Sequence, residues 1–340
     1  MMRTRTRRLV VTGGAGFIGS NFCRWWIEHH PGDHLVVIDA LTYAGTRTNL
    51  LGIEGAITFV ELDITDRSAV ESLLRDQSLD TVVNFAAESH NSLAVLDPSR
   101  FFRTNAWGTQ QLLEAARQAG VDRFHHISTC EVYGDLALDS DHVFIEDSPY
   151  LPNTPYNASK AAADHIVRAY HHTFGLPVTI TNCANNYGPH QFPEKVIPLF
   201  VTNALDDLPL PVYASSGNRR EWIHVVDHCA AIGAVLDDGK IGRTYHVGTG
   251  LERSVDQIAD AVLAALDKPA TLKAVVPDRP GHDRRYLLDS TRIRTELGWK
   301  PMVDFEAGLA STIDWYAKNR RWWEPLRDRA PVAESIAWSP

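Results

Sequence analysis

Leu9-Val10-Val11-Thr12-Gly13-Gly14-Ala15-Gly16-Phe17-Ile18-Gly19 carries an apolar run into glycines at 13, 16 and 19, and a helical pattern follows through about His30. A strand that ends in a glycine turn and opens a helix lets backbone approach a pyrophosphate closely, and the unpaired amides of the helix N-terminus hold its charge. The stretch therefore predicts a dinucleotide-binding unit with Gly13, Gly16, Phe17, Ile18 and Gly19 against the cofactor. A second apolar run, 34–38, ends in Asp39, 26 residues beyond Gly13. A carboxylate there accepts from an adenine ribose 2′-hydroxyl and repels a 2′-phosphate, and the next arginine is Arg47, so NAD is expected rather than NADP.

Outward from this unit, strands and helices alternate. Strands are expected over 57–61, 81–84, 123–128 and 178–181, with helices near 68–75 and over about 98–119. Asp63 and Ile64 follow the third strand, and Ala86 and Ala87 follow the fourth, which places them beside the cofactor at the carboxyl ends of the strands. The fold class expected is α/β: a doubly wound parallel sheet of the Rossmann type over 8–187, with a smaller α/β substrate-binding lobe over 188–323. In that second stretch the alternation loosens into loops rich in proline, glycine and charge. A tail over 324–340, with Pro325, Pro331 and Pro340 and no clear periodicity, is expected to be poorly ordered.

The 340 residues suit one large core or two closely packed units, and a formal net charge of −9 argues against sequence-independent nucleic-acid binding. No apolar run approaches the roughly 18 residues of a membrane span. The basic start Arg3, Arg5, Arg7, Arg8 leads straight into the first strand, not into the apolar core of a leader, so a cytoplasmic enzyme is expected. Cys23, Cys130, Cys183 and Cys229 lack CxxC spacing, which points to reduced thiols. The pairs His29-His30, His125-His126 and His171-His172 are adjacent residues whose side chains diverge, so no metal is expected.

Chemistry enters with Thr129-Cys130-Glu131 and, 25 residues after Glu131, Tyr156-Asn157-Ala158-Ser159-Lys160. On a helix Tyr156 and Lys160 share a face, where an ammonium favours the phenolate of a tyrosine whose unperturbed pKa is about 10. Tyr156 is thus a candidate base, with a carboxylate and a thiol nearby in the chain.

Together these motifs resemble the extended short-chain dehydrogenase/reductases, and within them the dTDP-glucose 4,6-dehydratases, over roughly residues 8 to 320. Further matches are Phe85-Ala86-Ala87-Glu88-Ser89-His90, Asn185-Asn186-Tyr187-Gly188-Pro189, Phe192-Pro193-Glu194-Lys195 and Arg279-Pro280-Gly281-His282-Asp283-Arg284-Arg285-Tyr286. The resemblance implies a homodimer acting on a nucleotide-diphosphate hexose, dTDP- or UDP-linked, in a cycle that is redox-neutral overall. NAD takes hydride from C4, water leaves across C5 and C6, and the hydride returns. By the same resemblance Tyr156 takes the O4 proton, Thr129 hydrogen-bonds O4, Lys160 binds the nicotinamide ribose, and Glu131 removes the C5 proton. Glu88, His90, Asn185, Asn186, Lys195, Arg220, Arg279 and His282 match substrate-side positions, where arginine and lysine suit a diphosphate.

The sequence also departs from that pattern. Cys130 stands where those dehydratases carry the Asp of Thr-Asp-Glu, so the expected acid for the departing C6 hydroxyl is a thiol, already protonated near pH 7 at its ordinary pKa of about 8.5; a thiol is a weak donor, and the alternative is a small buried cysteine that only packs. Asn91-Ser92-Leu93-Ala94-Val95 replaces Val-Asp-Arg-Ser-Ile, His246 stands for an Asn, and Ala214-Ser215 replaces Gly-Asp. UDP-hexose 4-epimerases of the same superfamily often place Cys after the catalytic Ser or Thr but usually lack the Glu. Three outcomes stay open: 4,6-dehydration to a 4-keto-6-deoxyhexose, 5,6-dehydration in which hydride returns to C4, and 4-epimerisation. A non-catalytic NAD-binding regulator would need neither Tyr156 nor Lys160.

Overall fold

A computed structural model describes residues 6–329. Arg3, Arg5 and the expected tail beyond residue 329 lie outside the described residues. The six strands expected from the sequence form as β1 (Arg8–Thr12), β2 (His34–Asp39), β3 (Thr58–Glu61), β4 (Thr81–Asn84), β5 (Arg123–Thr129) and β6 (Val178–Cys183). Helices α1 (Phe17–His29), α2 (Arg67–Asp76), α3 (Asn91–Leu96), α4 (Pro98–Phe101), α5 (Thr109–Ala119) and α6 (Pro155–Phe174) fall between and after them. Side chains alternate across each strand, so β1 places Leu9 and Val11 on one face and Val10 on the other. Val10 packs with Leu112, Leu113 and Val167 of α5 and α6, and Leu9 and Val11 pack with Phe22 and Trp26 of α1. A sheet covered on both faces needs apolar residues on both sides, which is why the central strands β1, β2 and β4 read as apolar runs.

The expected helix over 98–119 is a continuous helical path with a widened π-helical stretch, Phe102–Gly108. From that stretch Asn105 bonds both backbone groups of Glu88 and the hydroxyl of Ser159, tying the loop after β4 to α6.

After β7 (Asn185–Tyr187), α7 (Val196–Leu205), β8 (Leu210–Tyr213) and β9 (Arg219–His224) come α8 (Val225–Asp238) and β10 (Thr244–Val247). β10 is the seventh strand of the parallel sheet, whose order is β10-β6-β5-β4-β1-β2-β3. α8 and β10 thus arise inside 188–323 yet belong to the first unit, so the two units interleave in sequence across the approximate boundary expected at 187/188. Val225, Cys229 and Ile232 of α8 bury against Phe22 and Trp26 of α1. β10 escaped the sequence because it has four residues, two of them the polar Thr244 and His246. The sheet order reverses between β1 and β4, opening a crevice at their carboxyl ends.

The remaining residues build the smaller lobe, except for 291–297, where Ile293 packs with Tyr245 and Val247 of β10 and Ala231 of α8. β11 (Glu252–Ser254), α9 (Val255–Ala265), β12 (Lys273–Val276), β13 (Arg285–Tyr286), α10 (Thr291–Leu297) and α11 (Phe305–Lys318) follow in order. β11, β9 and β13 form a sheet that β7 joins through β9, and β12 pairs with β8. The chain continues as α12 (Arg320–Arg327), which corrects the expectation that order ends near 323. Trp323 is fully buried in the lobe's apolar core, and Leu326, three residues on and so on the same helical face, is also buried. Among the described residues no helix is long and apolar enough to cross a membrane.

Candidate active site

The crevice holds a cavity of about 460 Å³ that extends from the Gly13 turn to the smaller lobe. Gly13 has φ +64°, and a Cβ there would lie 2.7 Å from the Ala86 amide nitrogen, so only glycine lets the turn close against the loop after β4. α1 starts at the Gly16 cap with no side chain bonded to its first amides and no acid in its first turn. Those donors are open to a pyrophosphate. Asp39, at the end of β2, lines the cavity and accepts from the amides of Ala15 (2.9 Å) and Leu41 (2.8 Å). Burial pushes its carboxyl above the ordinary value and these two amides pull it back. Each carboxylate oxygen keeps a second lone pair for a ribose hydroxyl. Asp63, Ile64, Ala86 and Ala87 complete this wall, so the residues present fit a dinucleotide.

Beyond it, β5 delivers Thr129 at its last position, and the chain turns through a 3₁₀ segment, Cys130–Tyr133. Thr129 caps that turn by accepting from the Glu131 amide at 3.2 Å. α6 begins where Thr154 accepts from the Asn157 amide and Pro155 takes the first turn, which sets Tyr156 one turn ahead of Lys160. Burial raises the Tyr156 phenol, with Glu131, Cys183 and Cys130 pushing the same way and a hydrogen bond with Thr129 opposing them. Lys160 donates to the Ile127 carbonyl at 2.7 Å; burial lowers its pKa, and the buried Asp164 on the next turn raises it. Asp164 accepts from Ser128, Tyr150 and Asn182, a network that holds this anion behind Lys160.

Glu131 lies on the cavity wall, where burial and the Asp283 carboxylate raise its pKa while Asn91, Arg279 and Arg220 lower it. A carboxyl so balanced can take a proton from carbon and release it again. Cys130 does not meet the expectation of a proton donor facing the substrate. Its side chain is fully buried with Val132, Tyr133, Ala161, Tyr286 and Leu288 and is absent from the cavity lining. Successive residues of the turn point in different directions, so Glu131 in the cavity sends Cys130 behind it. Burial raises its thiol well above the ordinary value.

On the smaller-lobe side, Asn185, Asn186, Lys195, Arg220, Arg279 and His282 line the same cavity. Arg220 stacks over Tyr286 at 4.7 Å and is held by the carbonyls of Arg219, Asp283 and Arg284. Lys195 donates to the Ser89 carbonyl at 2.7 Å. Asn186 is engaged structurally, by the Ala184 carbonyl and by His228, and Asn185 accepts from the Tyr286 hydroxyl. Glu88 pairs with Arg100 at 2.8 Å, and His90 caps α3 while facing Glu194 at 3.3 Å. Of the residues expected from the sequence, every one but Cys130 reaches this cavity.

Several wall residues had no assigned role. Tyr43, in the loop after β2, donates to Glu194 at 3.0 Å; Cys183 ends β6 beside Tyr156; Asp283 and Tyr286 face Glu131. Asn91 drew attention only as a departure, yet its amide reaches the Glu131 carboxylate. Nothing in sequence spacing links positions 91 and 131, which meet only through neighbouring strands β4 and β5.

The family profile described as GDP-mannose 4,6 dehydratase matches residues 10–312. A dTDP-glucose 4,6-dehydratase of Xanthomonas campestris is 47% identical over 96% of this chain and 98% of its own. One from Mycobacterium tuberculosis is 48% identical, over 94% and 96%. The crystal structure of a dTDP-glucose 4,6-dehydratase from Streptomyces venezuelae with NAD bound superposes with a TM-score of 0.90, at 48% identity over 94% of this chain and 99% of that one.

Proposed function

The chain belongs to the GDP-mannose 4,6 dehydratase family, and from that membership and the geometry of the cavity we propose that it is an NAD-dependent 4,6-dehydratase of a dTDP-linked hexose. The observation that carries this reading is the convergence of Thr129, Glu131, Tyr156 and Lys160 on one cavity with the Gly13–Gly19 turn at one end and Arg220 and Arg279 at the other. Asp39 would hold the adenine ribose, the first amides of α1 the pyrophosphate, and Lys160 the nicotinamide ribose. Bound there, NAD would supply the hydride acceptor and donor of a redox-neutral cycle.

By the resemblance Tyr156 would take the O4 proton as C4 is oxidised; burial and Glu131 hold its phenol protonated in this structure and Lys160 does not act on it, so that role requires the phenol to ionise when cofactor and substrate are bound, with Thr129 orienting O4 through its hydroxyl. A C4 ketone makes the C5 proton acidic, and Glu131 removes it. Arg220, Arg279 and Lys195 meet the nucleotide diphosphate as two forks and a point charge. The exposed Leu96, Phe102 and Trp107, on the helical path between 91 and 119, support the homodimer that the resemblance implies. The experiment is mass spectrometry after incubation with dTDP-glucose and UDP-hexoses deuterated at C4. Loss of one water with deuterium arriving at C6 is the expected outcome. An isomer of unchanged mass would make the protein an epimerase, and deuterium retained at C4 of an alkene product would make it a 5,6-dehydratase.

A further inference from the structure

Glu131 has its backbone fixed by the Thr129 cap, but the cap leaves its carboxylate free to rotate. What orients it is Asn91, the first residue of α3, whose Nδ2 donates to Glu131 Oε2 at 3.0 Å. The Asn91 amide is itself fixed, because its Oδ1 accepts from the Thr154 hydroxyl at 3.0 Å. Thr154 Oγ1 already accepts from the Asn157 amide, so its proton is free to be given to Asn91. A flipped Asn91 would set an oxygen against the carboxylate and an amine against a donor. The start of α6 also holds the second acid of the site: Asn153, just before the Thr154 cap, and Asn157 in the first turn donate to Asp283 at 2.8 and 3.2 Å.

We propose that Asn91 is the positioning residue for Glu131, holding its carboxylate in the orientation and charge state that takes a proton from substrate and coupling it to the cap of the helix that carries Tyr156. The inference deepens the reading above and rests on Glu131 being the base there. The groups that face Glu131 are Asp283, Arg279 and Arg220 from the smaller lobe, Tyr286 of β13, Tyr156 of α6, Cys183 of β6 and its neighbour Cys130. Of these only Arg279 and Arg220 favour the carboxylate, and both are also placed for the diphosphate, so Asn91 is the donor committed to the base.

Two variants separate positioning from support of α6. Asn91→Ala loses both hydrogen bonds. Asn91→Asp keeps the acceptor for Thr154 and replaces the donor to Glu131 with an acid. In both, the acidic limb of kcat for dehydration is expected to move to higher pH, by about one to two units in Asn91→Ala, the worth of one hydrogen bond to a charged group. Dehydration below the limb then falls about ten- to hundredfold while KM and single-turnover C4 oxidation hold. An unmoved limb, or equal losses in KM and C4 oxidation, overturns the proposal. A second readout does not depend on the reaction: ¹³C-detected titration of the glutamate carboxyls in the NAD complex, with Glu131→Gln identifying the resonance. Its midpoint should rise in both variants, and an unchanged midpoint overturns the coupling. A raised midpoint in a protein whose wild type dehydrates no nucleotide hexose sinks the reading of the reaction and leaves the coupling standing.

Discussion

On the reading proposed above, Glu131 is the one side chain that separates redox chemistry from elimination. Glu131→Gln keeps the size and the hydrogen bond from Asn91 but removes the proton acceptor. The expected outcome is C4 oxidation without water loss, so that reduced NAD accumulates on the enzyme and is read by its near-ultraviolet absorbance. Full dehydratase turnover in this variant would place the C5 base elsewhere. Cys130, one residue earlier, is expected to behave as packing, since its thiol sits in an apolar cluster behind the wall. Cys130→Ala should cost about 0.5–3 kcal/mol of stability, the usual range for a core truncation, and leave turnover within a few-fold. A slowing of elimination by about 10²–10⁴, the worth of a general acid, would instead bring the thiol into the reaction. Thermal melts and single-turnover rates on the same preparation decide between the two.

The turn from β1 into α1 and the first turn of α6 place the chemistry, and each tolerates little change. Gly19 packs so closely that a Cβ would lie 2.4 Å from the Gly13 carbonyl oxygen, a backbone atom that cannot swing away. Gly19→Ala should therefore open the turn, and NAD affinity measured by calorimetry is expected to fall at least tenfold while the far-ultraviolet spectrum stays near wild type. Undiminished affinity would show that the turn does not contact the cofactor. In α6 the Thr154 cap, the Tyr156 and Lys160 face and the buried Asp164 lie within three turns of helix. One element thus positions the phenol, the ammonium and that ammonium's counter-ion. The Rossmann-type sheet places these groups at its switch point, and the loops supply the rest.

Across the molecule, the smaller lobe is tied to the sheet by the chain's late elements. Trp323 of α12 is fully buried beside Tyr316 and donates to its carbonyl at 2.8 Å, and Trp322 donates to Asn49 beyond β2 at 2.9 Å. Trp323→Ala is expected to cost about 3–5 kcal/mol, as for other large core truncations, and to lower the denaturant midpoint. A cost below about 1 kcal/mol would mean that α12 is not part of the cooperative unit. Because Lys195, Arg220, Arg279 and His282, proposed to meet the nucleotide sugar, belong to the lobe that α12 completes, such a variant should lose nucleotide-sugar affinity before NAD affinity near its melting range.

Local pattern determined the parts whose signal lies within a few residues. The glycine turn, Asp39 at the end of β2, the first six strands of the sheet and the Tyr156/Lys160 face could all be read because period, turn chemistry and spacing are short-range properties. The tertiary structure alone decided three things. β10 joins the sheet through pairing with β6, which a four-residue strand with two polar positions does not announce. α12 is ordered because a distant core accepts Trp323, whereas its own sequence carries an internal proline. The direction in which Cys130 and Glu131 point, and the approach of Asn91 to Glu131, follow from a turn between β5 and α6 meeting the start of α3. Which side chain of an adjacent pair faces a cavity depends on backbone angles and on what packs behind it, and neither is encoded in the identity of the pair.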